Sequence, residues 1–227
     1  MTIRVNAGLF RLASDALPKE EETRYFLHGC YVEPHHERGA MMVSTDGHRM
    51  VAIHDPDATC DESAIVKLPR FALDMCKRPK GLPMMRRLLT VDTAAKSATV
   101  ADQSFKNDQP DGDPQFLATG YRVLVDGTFP DWQRVIPNIT EEGRHGSFNP
   151  EFLMAFGAFG RALKAELGVA DACAMRMWQN DEGSPAVIRW SGVPNVLGVL
   201  MPMRADTEAV PHPSFLKPRV VETAEAA

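Results

Sequence analysis

The chain has 227 residues, of which 44% are hydrophobic and 24% charged, proportions that exclude wholesale disorder, a collagen-like repeat and a coiled-coil fibre. The length suits one large domain or two small ones with room for a proper core. Net charge is −5, which argues against a surface that coats nucleic acid on every side.

The longest apolar stretch runs from Val196 to Met203 and is interrupted by Gly198 and Pro202, so it falls far short of the roughly 18 to 20 residues of a membrane span. The opening Met1 to Ala7 lacks a basic, apolar, small-residue signal pattern. Cys30, Cys60, Cys76 and Cys173 form no Cys-x-x-Cys pair, and reduced thiols in a cytoplasmic protein are expected. The charge is uneven: between Val66 and Thr90 the cations Lys67, Arg70, Lys77, Arg78, Lys80, Arg86 and Arg87 face Asp74 alone. Such a cluster is either a solvated helix face or a stripe that meets phosphates on a protein whose other faces repel DNA.

Periodicity gives the same order of elements three times. A strand at Ile3 to Val5 leads to a helix from Leu9 to about Leu17, then to strands near Tyr25 to Val32, Ala40 to Ser44 and Met50 to His54. The second unit starts with Ile65 to Leu68; its helix opens at Pro69 and ends before Pro79, because proline suits a first turn and lacks the amide proton of a helix interior. Strands follow near Leu88 to Asp92, Ala98 to Ala101 and Phe116 to Val125, with Asn107 to Pro114 as an exposed loop. After a linker at 138–143, the third unit has a strand at His145 to Phe148 and a helix capped by Asn149 that stops at Gly168. Strands near Ala172 to Trp178, Ala186 to Trp190 and Val196 to Met203 complete it. The fold class is α+β: three β-α-β-β-β modules of roughly 60 to 75 residues, with helices on one face of antiparallel sheets.

Four segments carry a resemblance: Arg24-Tyr-Phe-Leu-His-Gly29, Thr45-Asp-Gly-His-Arg-Met50, Phe129-Pro-Asp-Trp-Gln-Arg-Val-Ile-Pro137 and Leu200-Met-Pro-Met-Arg204. Each alone is weak, since Asp-Gly is merely a good turn. Together, in this order and spacing, they resemble the bacterial sliding clamp, the β subunit of DNA polymerase III. The likeness implies the DNA-clamp fold, with 1–137 (modules 1–64 and 65–137) as the clamp's middle domain. It further implies that 144–204 is the latter half of the last domain and 205–227 a tail, disordered by its prolines and acidic, Ala-rich end. Phe215-Leu216 in that tail offers a short pocket-filling segment, but a fuller motif is lacking.

That family closes a ring of twelve modules from two chains. Three modules per chain imply four chains in a ring, or two chains joined through their third modules in an open arc. The third module has no intrachain partner module on this reading, and its unbonded edge favours a homo-oligomer; a monomer with a shielded third module is the alternative.

The resemblance also implies a pocket that captures short motifs of DNA polymerases or repair proteins. It is walled by Leu27, Thr45, Gly47, His48, Arg49, Met50, Pro130, Arg134, Val135, Val199, Leu200, Met201, Pro202, Met203 and Arg204. Its apolar members and adaptable thioethers suit Leu and Phe anchors, Gly47 suits close backbone approach, and Arg49, Arg134 or Arg204 suit rim oxygens. Read singly, Met201-Pro202-Met203 is core and edge, and Thr45 to Arg49 a hairpin turn. Double-stranded DNA is expected to be met weakly and without sequence preference by Arg70, Lys77, Arg78, Lys80, Arg161 and Lys164 on helices. Arg86 and Arg87 are read as starting a strand and facing solvent, and Glu20 to Glu22 make the end of the first helix acidic.

Catalysis is not expected. Asp46 and His48, or His35 and His36 with His28 or His54, match no acid/base or zinc spacing, and there is no Gly-x-Ser-x-Gly elbow or phosphate loop. No cofactor, metal or membrane partner is implied. The function expected is a clamp-like tether of polymerase or repair proteins to DNA; the alternative is a non-encircling adaptor or competitor for clamp-binding proteins.

Overall fold

The computed structural model describes residues 1–18, 23–77, 85–106, 109–136, 146–181 and 183–204. The expected linker and tail, Arg78, Lys80, Glu20 to Glu22 and Phe215-Leu216 lie outside them.

The chain runs β1 (Thr2–Asn6), α1 (Ala7–Ala13), β2 (Cys30–Pro34), β3 (Ala40–Thr45), β4 (Arg49–Asp55), β5 (Thr59–Cys60), β6 (Ala64–Val66) and α2 (Arg70–Met75). It continues through β7 (Met85–Asp92), β8 (Ser97–Lys106), β9 (Gln109–Pro110), β10 (Gln115–Tyr121), α3 (Pro150–Leu167), β11 (Met175–Trp178), β12 (Ala186–Trp190) and β13 (Val193–Leu200). Two antiparallel sheets result: β10-β8-β7-β1-β5 with β9 on β8, and β11-β12-β13-β4-β3-β2-β6.

Local chemistry sets the helix ends. Asn6 Oδ1 accepts from Leu9 N–H (3.2 Å) at the start of α1, and Asn149 Oδ1 accepts from Glu151 N–H (2.9 Å) ahead of Pro150 in α3. Gly168 closes α3 in the left-handed region (φ 69°). Gly160 is needed for a different reason: a Cβ there would come within 2.9 Å of Trp190 Nε1, so its absence lets α3 lie close on β12.

One core is shared by all three helices and both sheets. Leu9, Phe10 and Leu12 of α1, Ala72 of α2 and Phe156, Phe159 and Leu163 of α3 pack on Ile3, Val5, Leu89 and Val91 of one sheet and Val32, Ile53, Ile188 and Leu200 of the other. The helices thus occupy one face of each sheet, as expected. A second, smaller core lies behind the seven-stranded sheet, where Leu27, Val43, Met50, Ala52, Ile65, Phe129 and Val199 meet. Alternation along the strands divides the two, Val51 and Ile53 facing the helices while Met50 and Ala52 face the other way.

Several expectations need correction. Tyr25–Leu27 is a 3₁₀ turn rather than strand, so β2 begins at Cys30. The first unit's helix is only Ala7–Ala13 followed by a 3₁₀ turn at Ser14–Ala16. β8 reaches Lys106, and part of the expected loop, Gln109–Pro110, pairs with it. The strand of the third unit reduces to an isolated bridge between Ser147 and Met203, and Ala170–Cys173 is a 3₁₀ turn.

The third unit is joined to the first through its last strand: β13 pairs with β4 (Val196 opposite Ile53, Leu200 opposite Arg49), and α3 touches α1. Arg87 does not face solvent. It pairs with Asp102 (2.7 Å) and donates to the carbonyls of Met75 (2.7 Å) and Lys77 (2.6 Å) after α2.

Cys30, Cys60 and Cys76 are free thiols, and burial pushes Cys76 up to about 12. Among the described residues no helix is long and apolar enough to cross a membrane.

Two measurements test this packing. Arg87→Ala strands a mostly buried Asp102 carboxylate and frees two carbonyls, and is expected to lower unfolding stability by about 3 kcal/mol in urea titrations. Asp55 is buried, its Oδ2 accepting from Asn6 N–H (2.7 Å) and its Oδ1 from Asp57 N–H (3.2 Å). Burial holds its pKa above the usual 3.8 despite those bonds. A raised folded value means that its contribution is fully present below 3.8 and is lost as pH rises through the folded value. The stability of Asp55→Asn relative to the unmodified chain is therefore expected to rise between pH 4 and pH 7.

Candidate functional site

A cleft of about 660 Å³ opens behind the seven-stranded sheet where β4 begins and β13 ends. Three segments distant in sequence build it together with the 3₁₀ turn that carries Arg24 and Leu27. The first is the turn from β3 to β4. Thr45 Oγ1 accepts from Gly47 N–H (3.0 Å) and donates to Arg49 O (2.9 Å), while Asp46 Oδ1 accepts from the amides of His48 and Arg49 (both 2.9 Å). Gly47 has φ +88°, and a Cβ there would lie 2.7 Å from the Arg24 guanidinium, so its lack of a side chain serves the turn and the seat of Arg24. Arg24 Nη2 donates to Asp46 O (3.3 Å).

The second segment is the end of β13. Val199 pairs with Met50 and Leu200 with Arg49, and Met201 N–H extends the ladder to His48 O (2.9 Å). The third is the strap from Phe129 to Val135. The Phe129 ring stacks on Tyr31 at 4.8 Å and 4°, and Trp132 Nε1 donates to Glu33 Oε1 (3.0 Å). Both contacts fasten the strap to β2.

Leu27, Thr45, Gly47, His48, Arg49, Met50, Pro130, Val135, Val199 and Met201, all singled out in the sequence, line this cleft. Five other expected members do not. Leu200 is fully buried on the helix side, because its neighbour Val199 takes the cleft face and strand side chains alternate. Pro202, Met203 and Arg204 lie beyond the wall, with Met203 bridged to Ser147. Arg134 stands exposed at the rim, paired with Asp131 (2.8 Å).

Conversely, Arg24, Phe129, Asp131 and Trp132 line the cleft without having been assigned to it. All four lie inside the motif segments themselves, and the aromatic character of Phe129 and Trp132 was the available signal.

Arg49 is committed. Its Nε donates to Asp46 Oδ2 (3.2 Å), its Nη1 to Asp15 Oδ2 (3.2 Å) and its Nη2 to Asp15 O (2.9 Å), so it braces the turn against the end of the first helical segment. Burial raises the pKa of Asp15, and the Arg49 charge opposes the shift. The floor is therefore apolar (Leu27, Met50, Val199, Met201), one wall is aromatic (Phe129, Trp132) and the rim is polar. Such a lining desolvates aliphatic and aromatic side chains while the rim offers hydrogen bonds.

Of the helix cations, Arg70 and Lys77 are exposed at α2, Arg70 standing 3.6 Å from Asp74, and Arg161 and Lys164 are exposed on α3. The His35 ring lies 4.2 Å from that of His36 and 4.1 Å from that of His54. Among the described residues no three His, Cys, Asp or Glu side chains are disposed to hold a metal ion.

No protein-family model and no curated protein matches the sequence. Among solved structures the chain is similar to the β sliding clamp of Caulobacter crescentus, with 21% identity, a TM-score of 0.57, and 90% of this chain and 65% of that one covered. It is similar to the sliding clamp of Bartonella birtlesii bound to griselimycin, with 21% identity, a TM-score of 0.56, and 90% and 66% covered. The DNA polymerase III β subunit of Thermotoga maritima gives 18% identity, a TM-score of 0.54, and 90% and 66% covered. The chain thus spans 65–66% of the length of the structures it matches. The architecture of this chain is that of the bacterial DNA polymerase III β sliding clamp.

Proposed function

We propose that this clamp-like protein captures short extended segments of DNA polymerases or repair proteins in the cleft between β4, β13 and the Phe129–Val135 strap, and tethers them to duplex DNA as an oligomeric ring. The observation that carries the reading is the β4·β13 ladder, which sets Met50 beside Val199 and His48 beside Met201 and so makes one apolar floor from both ends of the chain. A Leu and a Phe anchor buried there contribute together about 3–6 kcal/mol before ordering costs. Docking of that strength is exchangeable, which suits successive partners.

Residues 1–137 act in this reading as a middle domain and 144–204 as half of a last domain. Arg70, Lys77, Arg161 and Lys164, with Arg78 and Lys80, supply attraction to phosphates that is independent of sequence and sensitive to salt. Ring closure, more than affinity, keeps such a protein on its template. Catalysis has no place in this reading, and the setting is the cytoplasm. A non-encircling adaptor is the second reading, favoured by the net charge of −5.

Combined Leu27→Ala and Met201→Ala is expected to weaken a Leu/Phe motif peptide at least tenfold, about 1.4 kcal/mol, in fluorescence titration; an unchanged curve rejects the cleft. Retention on circular duplex DNA that is lost on linearisation supports the ring. Peptide capture without such retention selects the adaptor.

A further inference from the structure

The three units of this chain follow one pairing rule, and the third leaves it half satisfied. In each unit the first strand, or its remnant, is flanked by the segment that follows the unit's last strand. β1 lies beside β5, Val66 of β6 is bridged to Leu124, and Ser147 is bridged to Met203. In the first two units the other flank is the strand after the neighbouring unit's helix: β1 pairs with β7, and β6 pairs with β2. This exchange is reciprocal, each unit giving a first strand and receiving one.

In the third unit both halves of the exchange are open among the described residues. β11, the strand after α3, pairs with β12 alone and ends its sheet, while the segment around Ser147 makes its one backbone bridge to Met203, with Gly146 N–H donating to Gln179 Oε1 (2.6 Å). Burial reports the same vacancy. β2 buries Cys30 and Val32 and β7 buries Leu89 and Val91, whereas all four residues of β11 are exposed, with Met175, Met177 and Trp178 at 37%, 38% and 39%. The free edge is ready to bond. Ser191 N–H donates to Ala174 O (3.0 Å), and the alternation of an antiparallel ladder then turns the amides of Met175 and Met177 away from β12.

An edge that needs a first strand, on the unit whose own first-strand segment needs an edge, is self-complementary. We propose that two copies of this chain join through their third units, the segment Gly146–Phe148 of each adding to β11 of the other about a two-fold axis. Such an isologous contact repeats between chains the β1·β7 and β6·β2 exchange that the chain already makes within itself. It would cover the three exposed apolar side chains and leave no bare strand edge on that side. The inference deepens the assembly half of the reading above and is independent of peptide capture.

Sedimentation equilibrium on the full chain tests it, using Met177→Pro, which removes an outward amide without touching the β12 ladder, and Trp178→Lys, which places a charge at the joint. The expected result is a mass at least twice the 25.1 kDa of one chain, halved by each substitution, with motif-peptide affinity at the cleft unchanged. A single-chain mass for the unsubstituted protein at about 100 μM, or a mass that Trp178→Lys leaves unaltered, overturns the proposal; Trp178→Lys decides alone if Met177→Pro fails to fold. Peptide titration on the same samples reads the cleft separately, so loss of the dimer and loss of capture are distinguishable.

Discussion

The ladder between β4 and β13 holds the molecule in its working shape. It joins strands whose residues His54 and Asn195 are 141 positions apart, and Asn195 Nδ2 adds a bond to His54 O (2.9 Å) near one end. Loop-closure entropy grows slowly with such separation, so the joint depends on what the paired strands bury. On the helix side Val51 and Ile53 meet Val196 and Leu200; on the other side Met50 and Ala52 meet Val199 and Leu197. Because both faces are covered, a one-residue slip would exchange their side chains, and register is tightly specified. The cleft inherits its shape from that register.

The strap shows how the second unit takes part in a site built on the first and third. Residues 129–135 follow β10 in sequence yet lie against β2, held by the Tyr31–Phe129 stack and the Trp132–Glu33 hydrogen bond. Val125 N–H donates to Ile65 O (2.9 Å), guiding the chain from the six-stranded sheet to the back of the seven-stranded one. Arg49 does the same work from the opposite direction, tying the β3–β4 turn to Asp15 after α1. Ser44 Oγ, which donates to Ala13 O, is a second tie between β3 and that helix.

Much of this was legible in the residues. Asn149-Pro150 and Gly168 marked the ends of α3 through capping chemistry, and the repeat of strand, helix and strands anticipated both sheets. What escaped is physical in origin. β8 extends through Asp102, Gln103 and Ser104, a polar run that reads as loop, because Gln103 is buried with its amide bonded to Gly112 O (2.9 Å) and Asp102 has Arg87. Tyr25–Leu27 looks like strand by its aromatic content, yet only Leu27 of the three is buried, and a 3₁₀ turn presents it to the cleft. Leu200 belonged to the right motif and the wrong face. The juxtaposition of β4 and β13 was legible only through the motif segments at their ends, because pairing across such distance leaves no local mark.

The seam between β4 and β13 is also the floor of the cleft, and this has a thermodynamic consequence. A guest lying across Met50 and Met201, as proposed, would touch both sides of the joint and bind only where the joint is closed. By linkage, occupancy adds to the cohesion of the first and third units in proportion to the logarithm of guest concentration. Under the proposed function, cargo fastens its own carrier: the scaffold is most firmly assembled while it is in use.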